Sequence, residues 1–156
     1  MSFVPEKTDY TFEEYLNIER DSLDRHEYRN GKVVEMDGSS LVHARLAGNF
    51  AFTVGNLLHK TKRSYITMSS NMKVRIEERI CVYPDVLVIH GKPIISDEMS
   101  ESINNPKLIA EVLSEGTNDY DREGKFRAYQ KLDSFQEYVL ISQETVAVDV
   151  FFREPK

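Results

Sequence analysis

Residues 107–125 read KLIAEVLSEGTNDYDREGK, and the segment LIAEVL within them has the composition of a buried strand with one acid at its centre. That acid is Glu111. An ionised carboxylate in an apolar interior carries a large desolvation penalty, so it pairs with a cation, takes up a proton or faces water. Two interpretations are therefore open: Glu111 lies on the solvent face of a half-buried strand, or it lies beside a positive charge.

A second acid interrupts a second apolar run, ICVYPDVLVIH, in which Asp85 follows Pro84. Proline donates no hydrogen bond to a sheet, so the chain at Asp85 is predicted to be an edge, a strand start or a bulge. If the two strands are neighbours, both carboxylates converge at one end of the sheet. They would then offer the hard oxygen ligands that Mg²⁺ or Mn²⁺ takes together with water and phosphate. The alternative, a solvent face for both acids, stays open, although strands buried on both faces leave little such surface.

The composition fits one globular domain spanning residues 1–156. Apolar residues make up 40% of the chain, which is enough for a core, and neither a repeat nor a Gly/Pro-rich linker divides it. No signal peptide and no run of membrane-spanning length is visible, so a cytoplasmic location without membrane contact is expected. Cys81 is the single cysteine, which excludes an internal disulfide and a cysteine-based zinc cage and predicts a small buried hydrophobe.

The net charge of −6 is unevenly distributed along the chain. Residues 60–79 carry a local charge of +4, whereas residues 97–123 carry −6. A non-specific duplex binder usually has a broad basic face, so any nucleic-acid contact of this chain is expected to be confined. Lys60, Lys62 and Arg63 in the run HKTKRSY are candidates for phosphate contacts. Alternatively, they complement the dipole of a helix C-terminus.

The order of helix and strand patterns predicts a mixed α/β or α+β domain built on one central sheet flanked by helices. The first helix begins at a capping box formed by Thr11 and Glu14, with Leu23 on the apolar side of its end. Asn30-Gly31 predicts a tight hairpin after it. The helices are predicted at 12–22, 41–61 and 119–132, an exposed loop at 91–106, and the remaining strands at 64–70, 72–77, 80–90, 107–114, 134–142 and 145–152.

The segments PDVLVI, IAEVLSEGTNDYDREGKFRAYQ and EYVLIS, in that order, resemble the Uma-type family of restriction endonuclease-like proteins, a branch of the PD-(D/E)xK nuclease superfamily. YRNGKVVEMDGSSLVHARLAGNF is similar to the N-terminal half of the same family, so the resemblance covers about residues 10–152. It implies a restriction endonuclease-like core, a central mixed sheet flanked by helices, preceded by an N-terminal helix and hairpin. Such domains usually continue with further strands after the segment VAVDVFF, which suggests a short or C-terminally truncated member.

The resemblance implies a catalytic set of Asp85, Glu111 and Lys125, in which the two acids hold the metal ion. The superfamily expects a lysine two residues after the second acid, where this chain has Leu113. Lys125 matches the position to which the family has moved this lysine, and it would orient water and stabilise the transition state. Alternatively, Asp121 and Lys125 form an ordinary surface i,i+4 pair worth about 0.2–0.5 kcal/mol.

Many superfamily members supply a further acid from the first core helix, but residues 39–63 contain no Asp or Glu. Glu35, before that helix, and His43, near its start, are the candidate auxiliary residues. His43 could bind metal or relay a proton, and it could equally be a polar residue near a helix N-terminus. Tyr129 is expected to pack, and Asp119 and Asp121 are expected to cap the helix that follows.

The leading functional hypothesis is a metal-dependent DNA endonuclease that acts as a homodimer, because two nicks on opposite strands benefit from two sites. The second is a non-catalytic relative that keeps the fold and binds DNA or protein. The third is an enzyme of another class that uses the same carboxylate pair. The sequence contains no Gly-rich phosphate loop, zinc-ligand spacing or nucleophile elbow that would favour one of the common alternatives.

Overall fold

The computed structural model of the protein describes residues 7–69, 71–115 and 118–155. Gly116 and Thr117, in the predicted acidic turn, lie outside the described residues. The helices are α1 (Phe12–Asp21), α2 (Leu41–His59) and α3 (Phe126–Tyr129), and a π-helical segment (Tyr120–Lys125) leads directly into α3. The strands are β1 (His26–Arg29), β2 (Lys32–Glu35), β3 (Tyr65–Ser69), β4 (Val74–Glu77), β5 (Ile80–Val82), β6 (Val86–His90), β7 (Ile95–Asp97), β8 (Ser102–Ile103), β9 (Leu108–Val112), β10 (Glu137–Ile141) and β11 (Val148–Phe152).

The strands form two sheets. The central sheet has the order β11-β10-β9-β6-β3, in which β9 and β10 are parallel and the other neighbours are antiparallel. The second sheet has the order β2-β1-β5-β4-β8-β7. The predicted α+β class and the mixed central sheet are thus confirmed.

The prediction of one sheet was wrong because the run 80–90 is two strands. It divides at Pro84, so that β5 joins the second sheet and β6 the central one. The predicted loop 91–106 also contains the short strands β7 and β8, which pair with each other at the edge of the second sheet. At Pro84 the chain therefore leaves the second sheet and enters the central sheet.

The N-terminal helix and hairpin form as predicted. Thr11 Oγ1 accepts a hydrogen bond from Glu14 N, and Glu14 reaches back to Thr11 N, which completes the capping box. Asn30 and Gly31 both have positive φ, as a two-residue type I′ turn requires. Leu23 is 104% exposed, contrary to the prediction, because the helix ends at residue 21 before the apolar side can reach it.

Strand alternation sorts the side chains of β9 onto two faces. Ala110 and Val112 belong to the core beneath α2, whereas Ile109 and Leu113 belong to the core shared with the second sheet. Successive residues of a strand point to opposite faces, so Glu111 shares the face of Ile109. Its side chain therefore points between the two sheets and away from solvent.

Helix α2 lies on the opposite face of the central sheet, where Leu46 and Phe50 pack against the cluster that contains Val86. Ser40 caps the helix by accepting a hydrogen bond from His43 N, so the first turn of α2 has a fixed position. No helix in the described part of the chain has the length and apolar character needed to cross a membrane.

Candidate active site

Asp85 and Glu111 lie side by side at the end of the central sheet. Strands β6 and β9 are antiparallel neighbours, with Val86 opposite Ala110. Glu111 Oε2 accepts a hydrogen bond from Asp85 N at 3.2 Å, and Asp85 Oδ2 accepts one from Val112 N at 2.7 Å. Both acids are buried, and Asp85 directly precedes the start of β6. The solvent-face interpretation is therefore wrong for both residues.

Lys125 meets Glu111 from the π-helical segment. Its Nζ lies 3.2 Å from Glu111 Oε1 and 3.3 Å from Asp121 Oδ1. The Asp121–Lys125 pair is not an ordinary surface i,i+4 pair, because Lys125 is only 5% exposed and Asp121 is buried as well. Asp119 occupies the N-cap position of the segment but makes no side-chain cap there. Leu113, at the position where the superfamily expects lysine, packs in the apolar core.

Glu27 is the third carboxylate that contacts Lys125, and sequence reasoning missed it. It is 1% exposed, and its Oε1 lies 3.2 Å from Lys125 Nζ. The same oxygen accepts a hydrogen bond from Tyr83 N at 3.0 Å, while Oε2 accepts one from Arg29 Nε at 2.9 Å. The strand around it reads HEYR, which is not an apolar run, so the sequence near Glu27 lacks the signal that marks Glu111.

The charges of the cluster depend on one another. Burial raises the pKa of Glu111 well above its ordinary value, and the neighbouring carboxylates add to this effect, although Lys125 opposes it. Burial alone would lower the pKa of Lys125, but the carboxylates of Glu111, Glu27 and Asp121 raise it well above the ordinary value. The pKa of Glu27 is lowered, because Lys125 and Arg29 outweigh the effect of its burial. Lys125 is thus a permanent cation at neutral pH.

Two further side chains reach the carboxylate pair. The Tyr129 hydroxyl donates to Glu111 Oε1 at 3.0 Å, so this residue both packs in the core and holds the carboxylate. His43 Nε2 lies 3.2 Å from Asp85 Oδ2 and is half-buried. The hydrogen bond with Asp85 raises the pKa of His43 above its ordinary value. Of the two predicted auxiliary residues, His43 therefore contacts the pair directly.

The cluster lines a pocket of about 710 Å³. Glu35, the other auxiliary candidate, is exposed and lines this pocket at the end of β2. Lys60, Lys62 and Arg63 lie just beyond the C-terminus of α2, whereas His43 is in its first turn. At 1.5 Å per residue, that separation is roughly 25 Å along the helix axis. The predicted phosphate-binding residues are thus remote from the carboxylate pair.

The donor set can be compared with the needs of a metal ion. No group of three or more His, Cys, Asp or Glu side chains within the described ranges is arranged to hold a metal. Asp85 and Glu111 nevertheless fit Mg²⁺ or Mn²⁺, because such ions are commonly held by one or two carboxylates and complete their shells with water and substrate phosphate. A zinc-type cage of protein ligands does not fit this site.

Comparisons with known proteins place the chain in a family of restriction endonuclease-like proteins and support its fold. The crystal structure of a "putative nuclease belonging to DUF820" from Anabaena variabilis matches it with a TM-score of 0.68, over 92% of this chain and 84% of that one, at 18% identity. The sequence profile of the Uma2 family, described as "Putative restriction endonuclease", matches residues 12–156. The chain therefore belongs to the Uma2 family.

Two proteins of Synechocystis sp. are similar over most of their length. The uncharacterized protein sll1609 is 35% identical over 85% of this chain and 75% of its own length. The uncharacterized protein slr1290 is 31% identical over 90% of this chain and 73% of its own length. The names of these relatives state no activity.

Proposed function

We propose that this protein is a metal-dependent endonuclease that hydrolyses phosphodiester bonds in DNA. The observation that carries the proposal is the meeting of Asp85, Glu111 and Lys125 in one pocket, from three separate segments of the chain. Two adjacent carboxylates beside a buried ammonium combine a cation site with a fixed positive charge. Phosphodiester hydrolysis needs both, because negative charge develops on the phosphate oxygens in the transition state.

Each side chain has a separate role in this proposal. Asp85 and Glu111 would hold the metal ion, which supplies polarisation of the phosphate and a lowered pKa of the attacking water. Lys125 places its positive charge next to Glu111, where the neighbouring carboxylates hold it. Because these carboxylates raise its pKa, Lys125 stays protonated and does not act as a base at neutral pH. Tyr129 fixes the Glu111 carboxylate by hydrogen bonding. His43, hydrogen-bonded to Asp85, orients that carboxylate from the α2 side.

The proposed substrate is DNA, and the proposed assembly is a homodimer that would bring two sites to opposite strands. Sedimentation equilibrium tests the dimer independently of activity. Lys60, Lys62 and Arg63 are exposed and would contact backbone phosphates away from the pocket. Their replacement by alanine would weaken DNA binding and reduce its salt dependence without changing the rate of cleavage of bound DNA.

Nicking of supercoiled plasmid tests the proposal. Wild-type protein is incubated with Mg²⁺ or Mn²⁺, with a chelator as the blank, beside Asp85→Asn and Asp133→Asn. The control makes the same chemical change at an exposed residue outside the pocket. We expect metal-dependent nicking by the wild type and the control, and a loss of about a hundredfold or more in Asp85→Asn.

Two outcomes would overturn the proposal. Equal nicking by wild type and Asp85→Asn would identify a contaminant as the source of activity. If folded wild-type protein binds DNA without metal and does not nick it, the result would favour the non-catalytic relative. Calorimetric titration with Mn²⁺ tests the proposed metal site independently of activity, because Asp85→Asn should lose binding whether or not the wild type cleaves.

A further inference from the structure

We infer that Glu27 is a positioning residue, which holds the Lys125 ammonium against Glu111 from the second sheet. This inference rests on the proposed nuclease function and extends it to a side chain outside the predicted catalytic set. The turnover rate then depends on Glu27, a carboxylate of the N-terminal hairpin that is far from Asp85 and Glu111 in the chain.

Both oxygens of the Glu27 carboxylate are fixed. Oε1 accepts from Tyr83 N at 3.0 Å and faces Lys125 Nζ at 3.2 Å. Oε2 is held by the guanidinium of Arg29, which donates through both Nε and a terminal nitrogen. Arg–carboxylate pairs of this two-donor kind define an orientation as well as a distance. The carboxylate therefore has a single position, and it can impose one on the ammonium.

A second contact joins the N-terminal hairpin to the π-helical segment that carries Lys125. The Arg29 guanidinium carbon lies 3.6 Å from the centre of the Tyr120 ring, and Tyr120 is on the same π-helical segment as Lys125. Strand β1 therefore contacts this segment twice, through Glu27 and through Arg29. Single-turn π segments inside helices occur frequently at functional sites, and here the segment is the part of the chain that β1 holds.

The position of Glu27 argues for an indirect role. Its partners are Lys125, Arg29 and Tyr83 N, whereas Asp85 bonds to Val112 N and His43. Without the charge of Glu27, the ammonium would retain Glu111 and Asp121 as partners. Asp121 belongs to the same segment as Lys125 and can draw the ammonium away from the sheet. Glu27 opposes that shift.

The variant Glu27→Gln tests this role, since it keeps the shape and removes the charge. Glu19→Gln is the matched control. Glu19 is also largely buried and accepts hydrogen bonds from His26 in β1 and from Tyr83, but it lies outside the pocket. We expect kcat for plasmid nicking to fall by about 10–100-fold in Glu27→Gln, with KM changed by less than about twofold. Glu19→Gln should lose stability with kcat retained.

A crystal structure of Glu27→Gln supplies a readout that does not depend on activity. We expect Lys125 Nζ to move beyond about 3.5 Å from Glu111 Oε1. Loss of rate without this displacement, or displacement without loss of rate, would overturn the positioning role. If the wild type fails to nick DNA at all, the proposed function fails, and the displacement alone decides whether Glu27 positions Lys125.

Arg29→Lys covers the case in which Glu27→Gln does not fold. Arg29 is partly exposed, and the change keeps the charge while removing the two-donor hold on Glu27. A several-fold decrease in kcat at unchanged KM would support the inference, whereas wild-type kcat would contradict it.

Discussion

Lys125 Nζ lies 3.2 Å from Glu111 Oε1, although the two residues belong to different elements. The lysine that the PD-(D/E)xK pattern places on the strand is absent here, and its position holds the core residue Leu113. The ammonium arrives instead from a π-helical segment and also contacts Glu27 and Asp121. One cation therefore links the central sheet, the second sheet and the helical segment.

Lys125→Met should strongly destabilise the protein. The change leaves buried carboxylates without their shared cation, and removal of one partner from a buried ion pair typically costs about 3–5 kcal/mol. Lys131→Met is the matched control: Lys131 is exposed and pairs with Glu77, so its loss should cost about 1 kcal/mol or less. Urea unfolding measures both. Equal effects of the two variants would contradict the buried network.

Stability in the absence of metal should fall as the pH rises above the range in which a glutamate ordinarily titrates. The folded-state pKa of Glu111 is raised, so the stability linked to its neutral form is fully present below about pH 4.5 and is lost as the pH rises through the raised value. Glu111→Gln cannot ionise and should lack this decline. Urea midpoints measured in chelator at several pH values compare the two proteins. Parallel pH profiles would show that Glu111 titrates normally.

The pKa of His43 should decrease in Asp85→Asn. The hydrogen bond with Asp85 raises this pKa, so the stability from the pair is present below about pH 6.5 and is lost as the pH rises through the raised value. Histidine proton resonances followed by NMR give the pKa directly. The resonances of His59, from the far end of α2, report whether the substitution disturbs the helix as a whole. An unchanged His43 pKa would exclude the pairing.

Gly124→Ala should destabilise the π-helical segment. A Cβ at this position would lie 2.5 Å from the Tyr120 ring, which would have to leave its place over Arg29. Overpacking of this kind typically costs about 1–3 kcal/mol. Gly48→Ala in the middle of α2 meets no atom within 4 Å and should stabilise the protein by up to about 1 kcal/mol. Opposite shifts of the melting temperature are therefore expected.

Local signals in the sequence located most of the elements. The capping box at Thr11 and the Asn30-Gly31 turn each depend on a few neighbouring residues, and both form as predicted. Asp85 and Glu111 could be identified because an acid inside an apolar run needs a partner. Both are buried, and both have partners: backbone N–H groups and, for Glu111, Lys125. Lys125 required the family pattern, since the sequence near it is equally compatible with a surface helix.

The features that sequence reasoning missed depend on contacts between distant segments. Glu27 becomes a site residue only because the second sheet packs against the segment that carries Lys125. Strands β7 and β8 are too short to have a periodic pattern, and their pairing with each other defines them. Pro84 indicated an edge, a strand start or a bulge, but local chemistry could not reveal that β5 and β6 enter different sheets.

The passage from β5 to β6 also sets a limit on how the length of this chain can vary. Tyr83 N holds Glu27, and two residues later the Asp85 carboxylate holds Val112 N. A residue inserted beside Val146, which is fully exposed in the turn between β10 and β11, lengthens a surface loop. A residue inserted between Tyr83 and Asp85 would move one sheet relative to the other and separate the carboxylates from the ammonium they share. The protein can therefore tolerate a length change in the turn between β10 and β11 far better than in this three-residue connection.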